Sequence, residues 1–395
     1  MKLLFALGPA YGLALPLVPL AWAARAAGHE VLVATTSQIT DVVAGAGLAV
    51  VDVFPDRDVW NELVSEVAGR IKGGDGAPRN PFGLFTRTMT EGTIDAGRRF
   101  GADLTVYSSD HRAGALASVA LGRPALEVGN RVSWSMRDAE FRDRAAAFRD
   151  DDVVRELRDR LGIPAGAPHL VARIDPRPPS MGGLAGDEPD RHDGIPWWPM
   201  RFVPFNGGAV LPDWALRTPA RPRVCVTLGT VVPTMSGTGS LAVVLEALGG
   251  MDVEVVLAEG NADLGPLADA LPVNVRRVGY LPLSGFLPGC SLAVHHGGSG
   301  TTAAPLHYGV PQLVLPSFAD NPMAAERVVA RGVGISHDPA TIDVPTVREL
   351  AERLLTEPAF ADAAAEVAAE MATQPSPSTV IERVGAALAL RSGAA

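Results

Sequence analysis

Short apolar runs alternate with helix-forming segments along two stretches of the chain, and this alternation constrains the fold more than any other feature. The first run, at residues 3–7, has no polar alternation, which is typical of a strand buried in a parallel sheet. A helix pattern over 16–27, ended by Gly28, and a strand at 31–34 complete a strand–helix–strand unit. The series continues with predicted strands at 49–53, 104–107 and 125–128 and a helix at 113–121.

A second series of the same kind fills the C-terminal half. Repeated strand–helix–strand order predicts an α/β protein with two Rossmann-like, doubly wound parallel sheets that face each other across a cleft. The length of 395 residues also suits two domains rather than one. The predicted strands of the second series lie at residues 224–228, 253–258, 275–278, 292–295 and 312–316.

The stretches between these elements set the expected domain boundaries. Residues 55–100 look polar and irregular, residues 138–161 look helical, and residues 162–222 lose periodicity. Such aperiodic, Pro- and Gly-rich stretches are typical of linkers. We therefore expect an N-terminal domain at 1–205, a linker at 206–222, a second domain at 223–375 and a C-terminal helix at 376–395 that returns toward the N-terminal domain.

Composition excludes several classes of protein. The formal net charge is −10 and no basic run occurs, so a nucleic-acid surface is not expected. Cys225 and Cys290 lie far apart, which predicts neither a disulfide framework nor a zinc site. Residues 1–25 resemble a signal peptide, but Gly and Pro interrupt their apolar run and a second strand follows. We expect no membrane span and a cytoplasmic protein.

The strongest motif is "AVHHGGSGTTAAPLHYGVPQLVLPSFADNP" at residues 293–322. It predicts a strand, a glycine-rich turn and a helix, an arrangement whose first N–H groups point at an anion. Thr301 and Thr302 could donate hydroxyls to a phosphate, and His296 could donate a ring N–H. A glycine-rich turn on its own would equally suit a tight structural connection.

A dinucleotide dehydrogenase is the first rival for such a fold, and its fingerprint is absent. The first loop reads "GPAYG" at residues 8–12 instead of the G-x-G-x-x-G pattern. The second strand ends in two threonines at 35–36, where that class places an acid for a ribose hydroxyl. The sequence therefore argues against a dehydrogenase.

Residues 293–322 resemble the donor-binding signature of family 1 glycosyltransferases, which have the GT-B fold. "CVTLGT" at 225–230 is similar to the first strand of the family's donor domain, and "VRRVGYLPLSGFLP" at 275–288 to its nucleobase segment. "RFVPFNGGAVLPDW" at 201–214 resembles the linker of actinobacterial antibiotic glycosyltransferases, including those that decorate enediynes. The resemblance covers nearly the whole chain, more weakly from 55 to 190.

The resemblance implies which residues hold the donor. Tyr280 would stack on the base where relatives usually have tryptophan, and the Leu281 backbone would pair with the edge of the base. Asp320 and Asn321 would bind sugar hydroxyls, and Asn321 replaces the usual glutamine, which fits a deoxy or amino sugar. The phosphates would be held by Thr230, His296, Gly298, Ser299, Gly300 and Thr301.

The catalytic base departs from the family pattern. In many relatives a histidine follows the loop glycine, whereas Leu13 follows Gly12 here, and leucine cannot accept a proton. Another residue is then the base, or the acceptor needs none, or the protein binds the donor without catalysis. Asp110 and His111 follow the strand at 104–107, at the end of a parallel strand where such sheets place their sites. A surface turn with a capping aspartate would explain the same pair.

The family resemblance implies inverting, metal-independent transfer of a sugar or deoxysugar from a thymidine or uridine diphosphate donor to a small apolar natural-product aglycone. No cofactor and no metal site are expected, and the DxD string at 56–58 is interpreted as a solvated turn. A non-catalytic sugar-nucleotide-binding or auxiliary protein is the alternative, and a GT-B epimerase is a weaker one; a homodimer is compatible with the sequence. The predicted apolar lining for the acceptor consists of Trp60, Phe82, Phe85, Met89, Trp134 and Met136.

Overall fold

The computed structural model places the chain in two α/β halves, each built around one sheet. The predicted pair of parallel-sheet domains is therefore confirmed. No helix in the described ranges is long and apolar enough to cross a membrane. The residues that the structure describes are 1–73, 82–146, 151–229, 239–260, 262–317 and 320–392.

The first sheet lies in the N-terminal half. Its strands among the described residues are β1 (Lys2–Ala6), β2 (Glu30–Thr35), β3 (Val50–Asp52), β4 (Leu104–Ser108), β5 (Ala125–Val128), β6 (Leu170–Asp175), β7 (Glu188–Pro189) and β8 (Pro196–Pro199). Their order is β3-β2-β1-β4-β5-β6-β8-β7, and all neighbours are parallel except β7 and β8.

Helices cover both faces of this sheet, which explains why β1 is apolar without alternation. Leu3 and Phe5 face one apolar cluster, and Leu4 faces another on the opposite side. The helices of this half are α1 (Tyr11–Ala14), α2 (Val18–Ala26), α3 (Ile39–Gly45), α4 (Val59–Gly73), α5 (Gly83–Phe100), α6 (Arg112–Leu121), α7 (Ala139–Ala146) and α8 (Asp151–Leu161).

The second sheet is parallel throughout and has the order β11-β10-β9-β12-β13-β14. Its strands are β9 (Arg223–Thr227), β10 (Glu254–Leu257), β11 (Val275–Arg277), β12 (Leu292–His295), β13 (Gln312–Val314) and β14 (Gly334–Ser336). The helices that follow β9 are α9 (Gly239–Gly249), α10 (Ser299–Tyr308), α11 (Asn321–Arg331), α12 (Val344–Thr356), α13 (Pro358–Thr373) and α14 (Pro377–Ser392).

The prediction of an irregular stretch at 55–100 is wrong, because α4 and α5 occupy most of it. Threonine has a low helix propensity, so the threonines in this segment do not indicate a helix. In the structure Thr90 Oγ1 donates to the Thr86 carbonyl at 2.6 Å, and Thr93 Oγ1 donates to the Met89 carbonyl at 2.7 Å. Because these threonine hydroxyls have hydrogen-bond partners within the helix, they can be buried at little cost. The packing of α5 against the core therefore outweighs the low helix propensity of its threonines.

The aperiodic stretch at 162–222 also contains strands that the sequence did not reveal. β6 extends the first sheet beyond β5, and β8 carries the Trp197–Trp198 pair next to it. β8 begins and ends with a proline, and proline is depleted in strands except near a sheet edge, so the sequence of β8 does not indicate a strand. The later part of the stretch, which includes residues 206–222, holds only loops and a short 3-10 turn at Asp213–Leu216.

The two halves are tied together at their backs. The last helix, α14, packs against α2 of the N-terminal half, with Val380, Ile381 and Val384 buried beside β1. A separate apolar cluster joins Phe202 to Leu306 of α10. The sheets are therefore held so that the ends of their strands meet at one cleft.

Candidate active site

A cavity of about 280 Å³ lies where the carboxyl ends of the two sheets meet. In both sheets the strand order reverses at this point, between β1 and β4 and between β9 and β12. Ligands of open α/β sheets bind at such switch points. Loops that follow β1 and β5 supply one wall, and loops that follow strands of the second sheet supply the other.

The glycine-rich turn after β12 forms the centre of the C-terminal wall. Gly297 has a φ of +86°, and a Cβ on Gly298 would lie 2.4 Å from His296 Nε2. Only glycine fits this turn, which brings the first turn of α10 to the cavity. Nine of the ten predicted donor residues lie in the wall, and Thr230 is outside the described residues. The nine are Tyr280, Leu281, His296, Gly298, Ser299, Gly300, Thr301, Asp320 and Asn321.

His296 is enclosed between two glycines and is only 8% exposed. A Cβ on Gly229 would lie 2.5 Å from its Cε1 atom, so that position also requires a glycine. Burial lowers the pKa of His296 to about 4, although the charge of Asp320 and a hydrogen bond with the Thr227 backbone act in the opposite direction. The ring is therefore neutral near pH 7 and carries a single N–H, which can be donated to a ligand only in the tautomer that does not donate it to the Thr227 carbonyl.

Tyr280 faces the cavity beside the N-terminal loop. Its ring centroid lies 6.1 Å from that of Tyr11, and a Cβ on Gly207 would lie 3.3 Å from its Cε1 atom. Burial raises the pKa of Tyr280, so the ring stays uncharged at neutral pH. A half-exposed, uncharged aromatic ring is a surface on which a planar base can stack.

The N-terminal wall of the cavity is mainly apolar. Of the predicted acceptor residues, Trp60 and Phe82 lie in it. Phe85 and Met89 do not, because α5 turns them into the core. Trp134 is buried beneath Arg131, and Met136 lies outside the wall as well. Further apolar wall residues are Leu13, Leu15, Pro16, Phe202, Pro204 and Phe205.

The predicted pair Asp110 and His111 lies just behind the wall, after β4. His111 is 2% exposed, and burial lowers its pKa to about 4. A Cβ on Gly8 would lie 3.5 Å from His111 Nδ1 and 2.7 Å from Leu13 Cδ1, so His111 packs directly behind the first loop. Asp110 keeps 17% of its side-chain surface exposed and forms an ion pair with Arg131.

Arg131 is the main wall residue that the sequence analysis missed. Its Nε donates to Asp320 Oδ2 at 2.8 Å, so it joins the two halves across the cleft. The neighbouring Asn130 donates to the Gly12 carbonyl at 3.1 Å and fixes the first loop. Arg131 follows β5 just as Asp110 follows β4. Its position after the end of a parallel strand is therefore the sequence signal that indicates it. Within the described ranges, this site included, no group of three or more His, Cys, Asp or Glu side chains is placed to hold a metal ion.

Comparison with known proteins agrees with this geometry. Residues 22–74 and 75–229 match the model of the N-terminal domain of erythromycin biosynthesis protein CIII-like proteins, and residues 242–387 match that of the C-terminal domain. The elloramycin glycosyltransferase of Streptomyces olivaceus is 38% identical over 99% of this chain and 98% of its own.

Solved structures agree as well. The glycosyltransferase SnogD from Streptomyces nogalater superposes with a TM-score of 0.78 at 32% identity, covering 98% of this chain and 99% of its own. The Streptomyces sp. SF2575 glycosyltransferase SsfS6, solved with thymidine diphosphate, gives 0.75 at 30% identity over 98% and 99% of the two chains.

The chain has two parallel-sheet domains that share one cleft, and the start of a helix faces that cleft. Together with the solved relatives, this arrangement defines a GT-B glycosyltransferase, as the resemblance to family 1 implied. The chain belongs to the family of erythromycin biosynthesis protein CIII-like glycosyltransferases. It is therefore an enzyme that acts on nucleotide sugars.

We predict that His111→Asn makes folding less sensitive to acid. The pKa of His111 is about 4 in the folded protein and about 6.5 when unfolded, so only the unfolded chain binds this proton in between. The stability that the buried neutral ring provides is complete above pH 6.5 and is lost as the pH falls toward 4. In this window the free energy of unfolding should fall less steeply for the variant, by about 1.4 kcal/mol per pH unit.

Urea unfolding of both proteins at pH 7, 6 and 5 measures this difference. His295 and His296 are also buried with pKa values lowered to about 3 and about 4, so the wild type should lose stability faster than one histidine explains. Equal pH dependence of the two proteins would show that His111 is not buried neutral.

Proposed function

We propose that this glycosyltransferase moves a sugar from a thymidine diphosphate sugar or a uridine diphosphate sugar to a small apolar natural-product aglycone. The observation that carries the proposal is a single cavity in which a glycine-rich helix start faces an apolar wall. A helix N-terminus suits a diphosphate, and an apolar wall suits an aglycone. The relatives support this proposal, because one is an elloramycin glycosyltransferase and another was solved with thymidine diphosphate.

In this proposal residues 1–205 bind the acceptor, residues 223–375 bind the donor, and residues 206–222 link them. Tyr280 stacks on the base, and the Leu281 backbone pairs with its edge. Asp320 and Asn321 bind the sugar, whereas the helix start and His296 hold the phosphates. Trp60 and Phe82 contact the aglycone. A cytoplasmic location and a homodimer stay predictions.

The reaction that fits this arrangement is a single displacement. The acceptor oxygen forms a bond to the anomeric carbon, the bond from that carbon to the diphosphate breaks, and the diphosphate leaves with the electron pair. The acceptor lies on the wall opposite the phosphates, so attack from the far face inverts the anomeric centre. The N–H groups of the first turn of α10 stabilise the departing charge.

We propose that this charge stabilisation replaces a metal ion, and therefore that turnover survives chelation. Initial rates with and without EDTA should agree within about twofold, because the helix start already provides the favourable electrostatics. NMR of the product should show the anomeric configuration opposite to that of the donor. Loss of turnover in EDTA with recovery in Mg²⁺, or retention of configuration, would contradict this mechanism.

We predict that His296→Ala weakens nucleotide binding by about one to two decades. A hydrogen bond to a charged group contributes about 1.5–3 kcal/mol, which corresponds to that change in affinity. Calorimetry with thymidine diphosphate and uridine diphosphate measures it. His307→Ala is the matched control, since His307 lies in the last turn of α10, the helix that follows His296, and outside the cavity wall. Equal affinities of both variants would show that His296 only fills the turn.

Leu13 lies in the cavity wall and cannot accept a proton, so we propose that an acceptor that needs a base is deprotonated by another residue. Asp110 is the better candidate, because it keeps some exposed surface and contacts the wall residue Arg131. One oxygen of its carboxylate accepts from Arg131, and the second is the proposed acceptor of the proton. His111 is a weaker candidate, since burial both hides its ring and lowers its basicity.

We predict that Asp110→Asn lowers kcat by about 10²–10⁴-fold, the usual contribution of a general base. The amide keeps the shape and an acceptor for Arg131, so the affinity for nucleoside diphosphate should change by less than about twofold. His111→Asn is the matched control and should keep kcat within about tenfold. The assignment is wrong if Asp110→Asn turns over at the wild-type rate, or if only His111→Asn loses activity.

A further inference from the structure

Arg131 is held from four sides at the centre of the cleft. Its Nε donates to Asp320 Oδ2 at 2.8 Å, and its Nη1 donates to Asn130 Oδ1 at 2.8 Å and to Asp110. Its guanidinium also lies 4.1 Å above the centre of the Trp134 ring. Only 9% of the side-chain surface is exposed. Such a fork, fixed on every side, has one orientation, unlike a surface arginine.

Asp320 depends on this contact. It follows β13 in the C-terminal half, and its Oδ2 accepts from both Arg131 and Ser299 Oγ, the latter at 3.1 Å. Burial works to raise the pKa of Asp320, but the charge of Arg131 and hydrogen bonds from Arg131 and Ser299 outweigh it. The carboxylate therefore stays ionised. Both side-chain donors hold the same oxygen, and no other side chain among the described residues donates to the second oxygen, which can accept from a ligand.

We infer that Arg131 is a positioning residue for the sugar end of the donor. It holds Asp320 ionised and oriented so that the carboxylate accepts from sugar hydroxyls. Because Arg131 belongs to the N-terminal half and Asp320 to the C-terminal half, the sugar subsite is complete only when both halves meet. This inference rests on the proposed function, in which Asp320 binds the sugar and α10 binds the phosphates.

In this proposal the nucleotide end and the sugar end of the donor contact different residues. The nucleotide contacts Tyr280 and the start of α10, and Arg131 bonds to neither of these among the described residues. Removal of Arg131 should therefore weaken binding of the nucleotide sugar but not of the nucleoside diphosphate. A purely structural role would weaken both, since the cleft would change as a whole.

Removal of Arg131 should also make sugar binding pH-dependent. Without its partner, the buried Asp320 would take up a proton at a higher pH than before. The charged or titratable groups that face it are Arg131, His296 and, across the guanidinium, Asp110. His296 has a pKa of about 4 and is common to variant and wild type, so the difference between the two proteins above pH 5 reports Asp320.

The test uses the full-length chain and the variants Arg131→Met and Arg131→Lys. Arg331→Met is the matched control, since Arg331 joins the halves through Ser180 at 2.9 Å but lies outside the cavity wall. Calorimetry gives Kd for the nucleoside diphosphate and for the nucleotide sugar between pH 5 and pH 8. Circular dichroism confirms the fold of each variant.

For Arg131→Met we expect Kd for the nucleotide sugar to rise at least tenfold, with a further rise as the pH falls toward 5. Kd for the nucleoside diphosphate should change by less than twofold, and Arg331→Met should match the wild type for both ligands. If Arg131→Met does not fold, Arg131→Lys must show the same pattern more weakly, since lysine keeps the charge without the fork. Equal changes for both ligands, or none, would overturn the inference. Failure of the wild type to bind either ligand would instead overturn the proposed function.

Discussion

The carboxyl ends of the central parallel strands of both sheets meet at one cleft, and the positions of the main candidate site residues follow from that constraint. Leu13 follows β1, Asp110 follows β4 and Arg131 follows β5 in one sheet. His296 follows β12 and Asp320 follows β13 in the other. The side chains of a strand that is covered on both faces pack into the core, so the candidate site residues lie just beyond the strand ends. The back of the cleft stays fixed because α14 and an apolar cluster tie the two halves together.

A chain of opposite charges then crosses the opening. Asp110, Arg131 and Asp320 alternate in sign from one half to the other, and all three are largely buried. Ser299, the first residue of α10, donates to Asp320, so this chain of charges ends at the helix start. His296 stays neutral beside these charges, because burial lowers its pKa to about 4.

The sequence predicts the parts of this arrangement that are local. The glycine-rich turn at 297–300 is visible because backbone geometry demands glycine there, and the buried strands are visible as apolar runs. The parts that depend on tertiary contacts were missed. The threonines of α5 lower its helix propensity, and their hydroxyl bonds to carbonyls one turn earlier exist only once the helix has formed. The sequence predicts Phe85 and Met89 as cavity lining, but α5 directs both side chains into the core. Arg131 itself stands at a strand end that the sequence indicates, but its pairing with Asp320, 189 residues away, is visible in no local pattern.

The central claim is that the nucleotide diphosphate binds at the start of α10 and faces the apolar wall of the other half. Hydrogen–deuterium exchange of the full-length protein with saturating thymidine diphosphate or uridine diphosphate tests it most directly, since phosphate oxygens would bond the N–H groups of Gly298 to Thr301 and slow their exchange. The account predicts protection in peptides that cover 295–302 and 279–283, with little change across β2 and β3. Unchanged exchange at 295–302 with a bound nucleotide, or protection confined to the N-terminal half, would contradict it.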